Sequence, residues 1–465
     1  MHEHSLAGHD LWTEAAGRAG RFLEGLGERA VVPSPEAIRR LAALGGPLPE
    51  GPEDPRDVLA LLDEAGSPAT VASAGPRYFG FVTGGSLPAP LACNWLAGAW
   101  DQNVGFRVMS PVGAALEEVV LGWLLQIFGL PAGSGGTFVT GATMANLTAL
   151  AAARHAVLCQ AGWDVETQGL FGAPPITVAV GDEVHVSVLK ALSLLGLGRE
   201  RVLRVPADGQ GRMQAGALPA LQAPAIVCVQ AGNVNTGATD PVAEICVRAH
   251  AAGAWVHVDG AFGLWLAASP ARVHLVQGIA EADSWATDGH KWLNVPYDSG
   301  LAFCREPGQL RAAMATTAAY LVAGEGREPD HYSPELSRRA RAVEVWAALR
   351  SLGRSGLAEL IERTCGHAAH FAEGLRSAGY EILNEVVANQ VLVSFGDAET
   401  TRRVIAEVQA GGVCWAGSTV WHGRTAMRIS VSCWATTSED VERCVAEIAS
   451  AARRAGAAAQ RVSAA

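Results

Sequence analysis

The sequence has little of what marks a secreted, membrane-spanning or nucleic-acid-binding protein. Its nine cysteines form no C-x-x-C pair, and most lie in apolar runs such as Ile226-Val227-Cys228-Val229. They read as small buried hydrophobes of a reducing compartment, not as a disulfide framework. No run of about 18 uninterrupted apolar residues occurs, so no membrane span is expected. Basic residues are outnumbered, with 35 Lys and Arg against 46 Asp and Glu and a formal net charge of −11. Nucleic acid is therefore not an expected partner. The opening Met1-His2-Glu3-His4-Ser5 lacks the cationic-then-apolar order of a signal peptide. A cytoplasmic location is the expectation. Lysine is nearly absent: Lys190 and Lys291 are the two in the chain.

What is present is a globular composition, 49% hydrophobic and 17% charged over 465 residues. A chain of this length exceeds one compact core and predicts more than one packed unit. Residues 1–85 show helical periodicity broken by Val32-Pro33-Ser34-Pro35 and Gly45-Gly46-Pro47, and read as a helical segment. Long Ala/Leu-rich helical patterns follow, as over Pro111 to Phe128 and Ala142 to Cys159. Beyond residue 175 short β-branched runs alternate with helical segments. The runs are Ile176 to Val180, Arg201 to Val205, Ala225 to Gln230 and Trp255 to Val258, with helices expected over 184–196, 214–222 and 240–252. This alternation predicts βαβ units and a parallel sheet covered on both faces, an α/β fold. The large domain is placed at 86–350. A small α+β domain is placed at 351–465, from Val391 to Phe395 and Met427 to Val431 alternating with helices.

Four segments fall at strand ends of the expected sheet, where open α/β sheets bind ligands. Thr137 to Asn146 reads as strand, small-residue turn and helix, so Ala142 and Thr143 sit at a helix start that suits an anion. An ordinary helix entry has the same signature. His185 follows a strand, where histidines are more often structural. Asp259, in His257-Val258-Asp259-Gly260-Ala261, puts a carboxylate at the sheet edge, and a helix N-cap is an equal reading. Lys291, in Asp288-Gly289-His290-Lys291-Trp292, is either a snorkelling surface lysine or a desolvated amine able to form a Schiff base. Its apolar context and the scarcity of lysine favour the amine.

Taken in order, these segments resemble the group II pyridoxal-phosphate (PLP) dependent amino-acid decarboxylases. The segment His290-Lys291-Trp292-Leu293-Asn294-Val295-Pro296-Tyr297-Asp298 is the most specific part of the resemblance, which runs from Pro76 to Arg428. The resemblance implies a fold-type I large domain with a mainly parallel seven-stranded sheet, a PLP cofactor, and a homodimer with a shared active site. It implies that Lys291 forms the Schiff base, that Asp259 pairs with the ring nitrogen, that His185 stacks on the ring and that Ala261 lies under its other face. Ala142 and Thr143 match the phosphate turn, Asn233 a polar contact to the cofactor, and Asp288 and His290 residues that help bind phosphate. Tyr320 matches a loop tyrosine thought to protonate the carbanionic intermediate.

In relatives the segment matching Tyr78 to Thr83 lines the side-chain pocket, so Phe81 and Thr83 are expected there, with core packing the alternative for Phe79 or Phe81. The segment carries no cation, which favours an aromatic or apolar L-amino acid unless Arg77 or Arg107 turns inward. The expected reaction is decarboxylation to the amine. Other fold-type I chemistry (an aminotransferase, aldehyde synthase or carbon–carbon lyase) and a non-catalytic PLP-fold protein are the alternatives. His367 and His370 have helical metal spacing but lack a third ligand, and a packed helix face is expected.

Overall fold

The computed structural model describes residues 2–316 and 326–456. Seven strands form the main sheet: β1 (Gly135–Val139), β2 (Thr177–Gly181), β3 (Leu203–Val205), β4 (Ala225–Gln230), β5 (Trp255–Asp259), β6 (Ser284–Asp288) and β7 (Gly300–Cys304). Their spatial order is β1-β7-β6-β5-β4-β2-β3. Strands β2 to β6 run parallel to one another, and β7 is antiparallel to both of its neighbours. The sheet is thus mainly parallel, as the alternating pattern predicts.

Residues of β4 to β7 are buried at every position, which requires cover on both faces. Alternate side chains divide between the two covers. Val227, Val229, Val256 and Val258 pack with Val120, Leu124 and Phe128 of the helix Pro111–Phe128. Ile226 and Cys228 pack on the other face with Ala152, Val188 and Leu192. The helix Pro111–Phe128 begins where Ser110 accepts the Gly113 N–H at 3.2 Å and ends at Gly129 in the left-handed region. Its length and hydropathy fit a membrane span. However, Glu117 is buried in ion pairs with Arg338 (2.8 Å) and Arg327 (3.2 Å), and the apolar stripe belongs to the core.

The helix expected over 214–222 is only a 3-10 turn, Ala215–Ala217. Pro219 and Pro224 remove backbone donors, and the Met213 N–H is committed to Asp240 at 2.7 Å.

A second, antiparallel sheet is built from β8 (Glu381–Ile382), β9 (Gln390–Ser394), β10 (Gly417–Trp421) and β11 (Arg424–Ser430), in the order β10-β11-β9-β8. Its core is shared with the helices Ala398–Gly411 and Ser438–Arg454. The helix Ala342–Ser377 connects the two sheets and breaks at Gly353, whose φ is +62°. Phe79, far upstream, packs into the small-sheet core against Phe371. Arg77 ties the N-terminal segment to it, donating to the carbonyls of Val413 (2.8 Å) and Gly27 (2.6 Å).

Candidate active site

The helix Ala142–Gln160 starts directly after β1, and no side chain caps it. Its first turn therefore presents backbone N–H groups and the positive dipole end. Gly141 and Gly300 pass so closely that a Cβ on Gly300 would meet the Gly141 Cα at 2.4 Å. The Ala142 N–H donates to Asp288 Oδ1 at 2.5 Å, which fixes the helix start to the end of β6. The other oxygen of Asp288 lies 3.0 Å from Lys291 Nζ. Asp288 is itself an anion, so it serves a phosphate indirectly, by placing Ala142 and Lys291. His290 Nε2 stands 3.5 Å from Asp288 Oδ1, while His290 Nδ1 accepts the Ser299 N–H at 3.0 Å. Burial pushes the His290 pKa down. Its ring stacks on Tyr297, with centroids 4.3 Å apart.

Asp259 ends β5 almost fully buried. Two N–H donors reach its carboxylate, the Ala261 N–H (3.2 Å) and Asn146 Nδ2 (3.2 Å), and Ser187 Oγ lies 3.4 Å away. His185 precedes the helix Val186–Leu194 and caps it, Nδ1 accepting the Ser187 N–H at 3.2 Å. Burial pushes the His185 pKa down, against the opposing pull of Asp259; Lys291 and Arg428 add to the lowering. Neutral His185 with Nδ1 accepting carries its proton on Nε2.

His185, Asp259, Ala261 and Lys291 converge on one small cavity, completed by Gln230, Gly232, Val234 and Phe262. These residues suit PLP. The helix start with Thr143 would take the phosphate, Lys291 Nζ the aldehyde carbon, and Asp259 a protonated ring nitrogen.

Two expected site residues turn away from this cavity. Asn233 does not line the cavity: its Oδ1 accepts the N–H groups of Asn235 (2.8 Å) and Thr236 (3.2 Å), so the side chain turns back on its own loop. The neighbours Gly232 and Val234 face the cavity instead. Phe81 does not line it either. Phe81 is 64% exposed and stacks on Trp415, with centroids 5.4 Å apart, while Tyr78 stacks on the same indole at 5.0 Å. Phe81 and Val82 both adopt left-handed backbone, with φ of +54° and +58°. The turn delivers buried Thr83 and then Gly84 against Lys291, where a Cβ on Gly84 would meet the Lys291 carbonyl oxygen at 1.9 Å. Tyr320 lies outside the described residues. His367 is a packed helix-face residue, its Nε2 3.1 Å from the Thr436 carbonyl.

Several site residues carry no motif. Asn146 is buried in the first turns of its helix, and His257 lies two positions before Asp259 on the same face of β5. That period of two is the signal that points to His257. Arg428, on β11, is largely buried, and its Nε has no hydrogen-bond partner. Burial alone lowers its pKa, with no carboxylate opposing it, and its charge is felt at His185. A guanidinium whose Nε is buried without a partner has a donor left for a carboxylate.

Residues 43–396 match the family described as the pyridoxal-dependent decarboxylase conserved domain. The chain is 32% identical to an L-2,4-diaminobutyrate decarboxylase of Rhizobium meliloti (strain 1021) over 79% of its own length and 76% of the relative's. It is 28% identical to an aromatic-L-amino-acid decarboxylase of Bacillus atrophaeus, over 68% of this chain and 66% of that one. Among solved structures, Oryza sativa TDC with PLP and tryptamine superposes with a TM-score of 0.89 at 22% identity, covering 96% of this chain and 97% of that one. Mouse CSAD in apo form gives 0.87 at 22% identity, covering 98% and 100%.

Proposed function

From the premise that the chain belongs to the pyridoxal-dependent decarboxylase family and is a PLP-dependent amino-acid decarboxylase, we propose that it acts on an aromatic or apolar L-amino acid. The observation that carries this reading is the engagement of Arg77 and Arg107, the two cations that flank the Tyr78–Thr83 segment in sequence. Arg77 is spent on backbone carbonyls and on Asp440 at 3.5 Å, and Arg107 pairs with Glu118. Neither is free to meet a distal substrate carboxylate. Among the residues lining the cavity, Asp259 is the only carboxylate, and its donors are already in place; this disfavours a second amino group on the substrate.

PLP supplies a conjugated ring that accepts the electron pair left when the bond from Cα to the carboxylate breaks. The protein's residues do the rest. Lys291 Nζ would hold the cofactor, Asp259 would keep a proton on its ring nitrogen, and His185 would offer its Nε2–H as a donor beside it. Arg428 receives the α-carboxylate in a desolvated setting, where that charge is lost as carbon dioxide leaves. Tyr320 returns a proton to Cα.

We further infer a homodimer in a reducing cytoplasmic compartment. Support for the dimer comes from Trp12, Leu62, Trp95 and Leu96, exposed large side chains on the N-terminal helices, together with exposed Phe81. Support for the compartment comes from nine free thiols, seven of them buried.

The test is a panel of L-tryptophan, L-tyrosine, L-phenylalanine, L-DOPA, L-glutamate, L-aspartate and L-2,4-diaminobutyrate, scored for amine and carbon dioxide without added keto acid. Preference for the first four supports the reading. Preference for either acidic substrate or for diaminobutyrate overturns it.

A further inference from the structure

Asp259 is gripped by side chains that never reach the cavity. Behind it runs a line of buried polar groups. Trp255 Nε1 lies 2.8 Å from Ser284 Oγ, and Ser284 Oγ lies 2.9 Å from His257 Nδ1. His257 Nε2 lies 2.9 Å from Asn146 Oδ1. Asn146 Nδ2 reaches both Asp259 Oδ2 and Ser187 Oγ at 3.2 Å, and Ser187 Oγ reaches His185 Nδ1 at 2.7 Å. Ser284, His257 and Asn146 have no exposed surface.

Counting hydrogens gives this line a direction. An indole N–H only donates, so Ser284 Oγ accepts from Trp255. A carboxylate only accepts, so Asn146 turns its amide nitrogen to Asp259 and its Oδ1 to His257 Nε2–H. This leaves the Ser284 hydroxyl hydrogen for His257 Nδ1. That nitrogen is then bare. The single proton of a neutral imidazole sits on Nε2 and is donated to Asn146 Oδ1. With its oxygen so committed, Asn146 must turn its two N–H bonds outward, one to Asp259 and one to Ser187. Ser187, accepting from Asn146, sends its own hydrogen along the shorter path to His185 Nδ1 (2.7 Å) in preference to Asp259 (3.4 Å). His185 is left with its proton on Nε2.

We propose that Trp255, Ser284, His257 and Asn146 form a one-way hydrogen-bond chain in which Asn146 and His257 are positioning residues, holding Asp259 by donation and setting the His185 tautomer through Ser187. Its catalytic consequence rests on the reading that Asp259 and His185 face the cofactor. Its structural content does not. The chain explains why an amide and an imidazole lie buried behind a carboxylate. A carboxylate in place of Asn146 keeps the shape but loses both donors, and an alkyl group in place of His257 leaves the Asn146 orientation undetermined.

The direct test is nitrogen-15 NMR of the apo protein carrying labelled histidine. The expected result is an unprotonated Nδ1 and a protonated Nε2 in both His257 and His185. A proton on His257 Nδ1 overturns the chain, whatever Asp259 does in catalysis. In the loaded enzyme, Asn146→Asp and His257→Leu should lower kcat by about 10–100-fold, the range for groups that orient a ligand-holding side chain, with KM changed much less. His257→Gln retains an N–H at the Nε2 position and should recover most of the loss. Unchanged kcat in Asn146→Asp, or His257→Gln no better than His257→Leu, overturns the proposal. If His257→Leu fails to fold, the isosteric Asn146→Asp and the wild-type tautomers still decide it. Correct tautomers with Asp259→Ala fully active would instead sink the cofactor-facing role of Asp259 and leave the chain standing.

Discussion

Lys291 Nζ lies 3.0 Å from one oxygen of Asp288, and the other oxygen of the same carboxylate accepts the Ala142 N–H at 2.5 Å. One buried side chain thus sets the spacing between the lysine proposed to anchor the cofactor and the helix start proposed to take its phosphate. Asp288→Ala removes both contacts and strands a buried donor, a loss of about 1–3 kcal/mol. PLP affinity should fall by roughly one to two powers of ten, since about 1.4 kcal/mol is tenfold. Asp288→Asn keeps an acceptor for Ala142 and should lose less. Fluorescence titration of the apo protein with PLP checks the order, and equal losses in the two variants would contradict it.

Asp259 is not needed to hold the sheet together, because its partners Asn146, Ser187 and Ala261 belong to elements that pack independently of it. Asp259→Ala strands buried donors and should cost about 1–3 kcal/mol of stability without unfolding the sheet. Turnover should fall by about 10²–10³-fold, the usual effect of deleting one preorganised electrostatic partner. Single-turnover decarboxylation beside a thermal melt separates the two effects. Wild-type turnover would remove Asp259 from the mechanism.

If Tyr320 donates the proton to Cα, Tyr320→Phe should slow amine release and divert part of the product to aldehyde. Chromatographic product ratios from matched reactions decide this. An unchanged rate and ratio assign the proton to another group, His185 first.

The stability of the apo protein should fall as pH drops from about 6.5 toward 4. His257 is buried, and its pKa is pushed down from 6.5 to about 4. The unfolded chain takes up that proton first, so the stability present above pH 6.5 is lost on the way to the folded-state value. His185, His290 and His367, all lowered by burial, act in the same sense. Asp240, pushed up to about 6 by burial, acts in the opposite sense, as do Asp330 and Glu344, which burial also raises, so three carboxyl groups oppose four histidines. Urea denaturation across this window should show a shallower slope for His257→Gln than for wild type. Parallel slopes would contradict the assignment.

Where local signals agree, the fold is legible from the residues. Pro111 to Phe128 begins with Ser-Pro and ends at Gly129, and the helix has those limits. Ala225 to Val229 is continuously apolar and, with Gln230, forms the inner strand β4. The β10–β11 hairpin is harder to read, because its turn is His422-Gly423, both in the left-handed region, without the usual Asn-Gly pair. At the site, Asp259 and Lys291 are legible because each closes a strand or follows one closely. Asn233 is displaced by one position, since a loop has no period that assigns side chains to a face. Asn146 is hidden because a buried amide on a helix looks like any other polar residue until its partners from β5 and Ser187 are seen.

Gly80 sets the strained turn at Phe81. A Cβ there would come within 2.2 Å of the Trp415 ring and 2.8 Å of the Tyr78 hydroxyl. The indole is held between Tyr78 and Phe81, so it has little room to retreat. Gly80→Ala should therefore destabilise the protein by about 1–3 kcal/mol, as overpacking does. The effect should extend beyond stability, because the displaced turn carries Thr83 and Gly84 against the Lys291 carbonyl. Gly80→Ala combined with Trp415→Leu opens the space and should restore much of the stability. It should not restore activity fully, since Phe81 then lacks the ring that supports its left-handed backbone. Thermal melts and kcat/KM on the single and double variants check both halves. A Gly80→Ala melt equal to wild type would show that the stack yields, and that the turn at Phe81 is set by something other than Trp415.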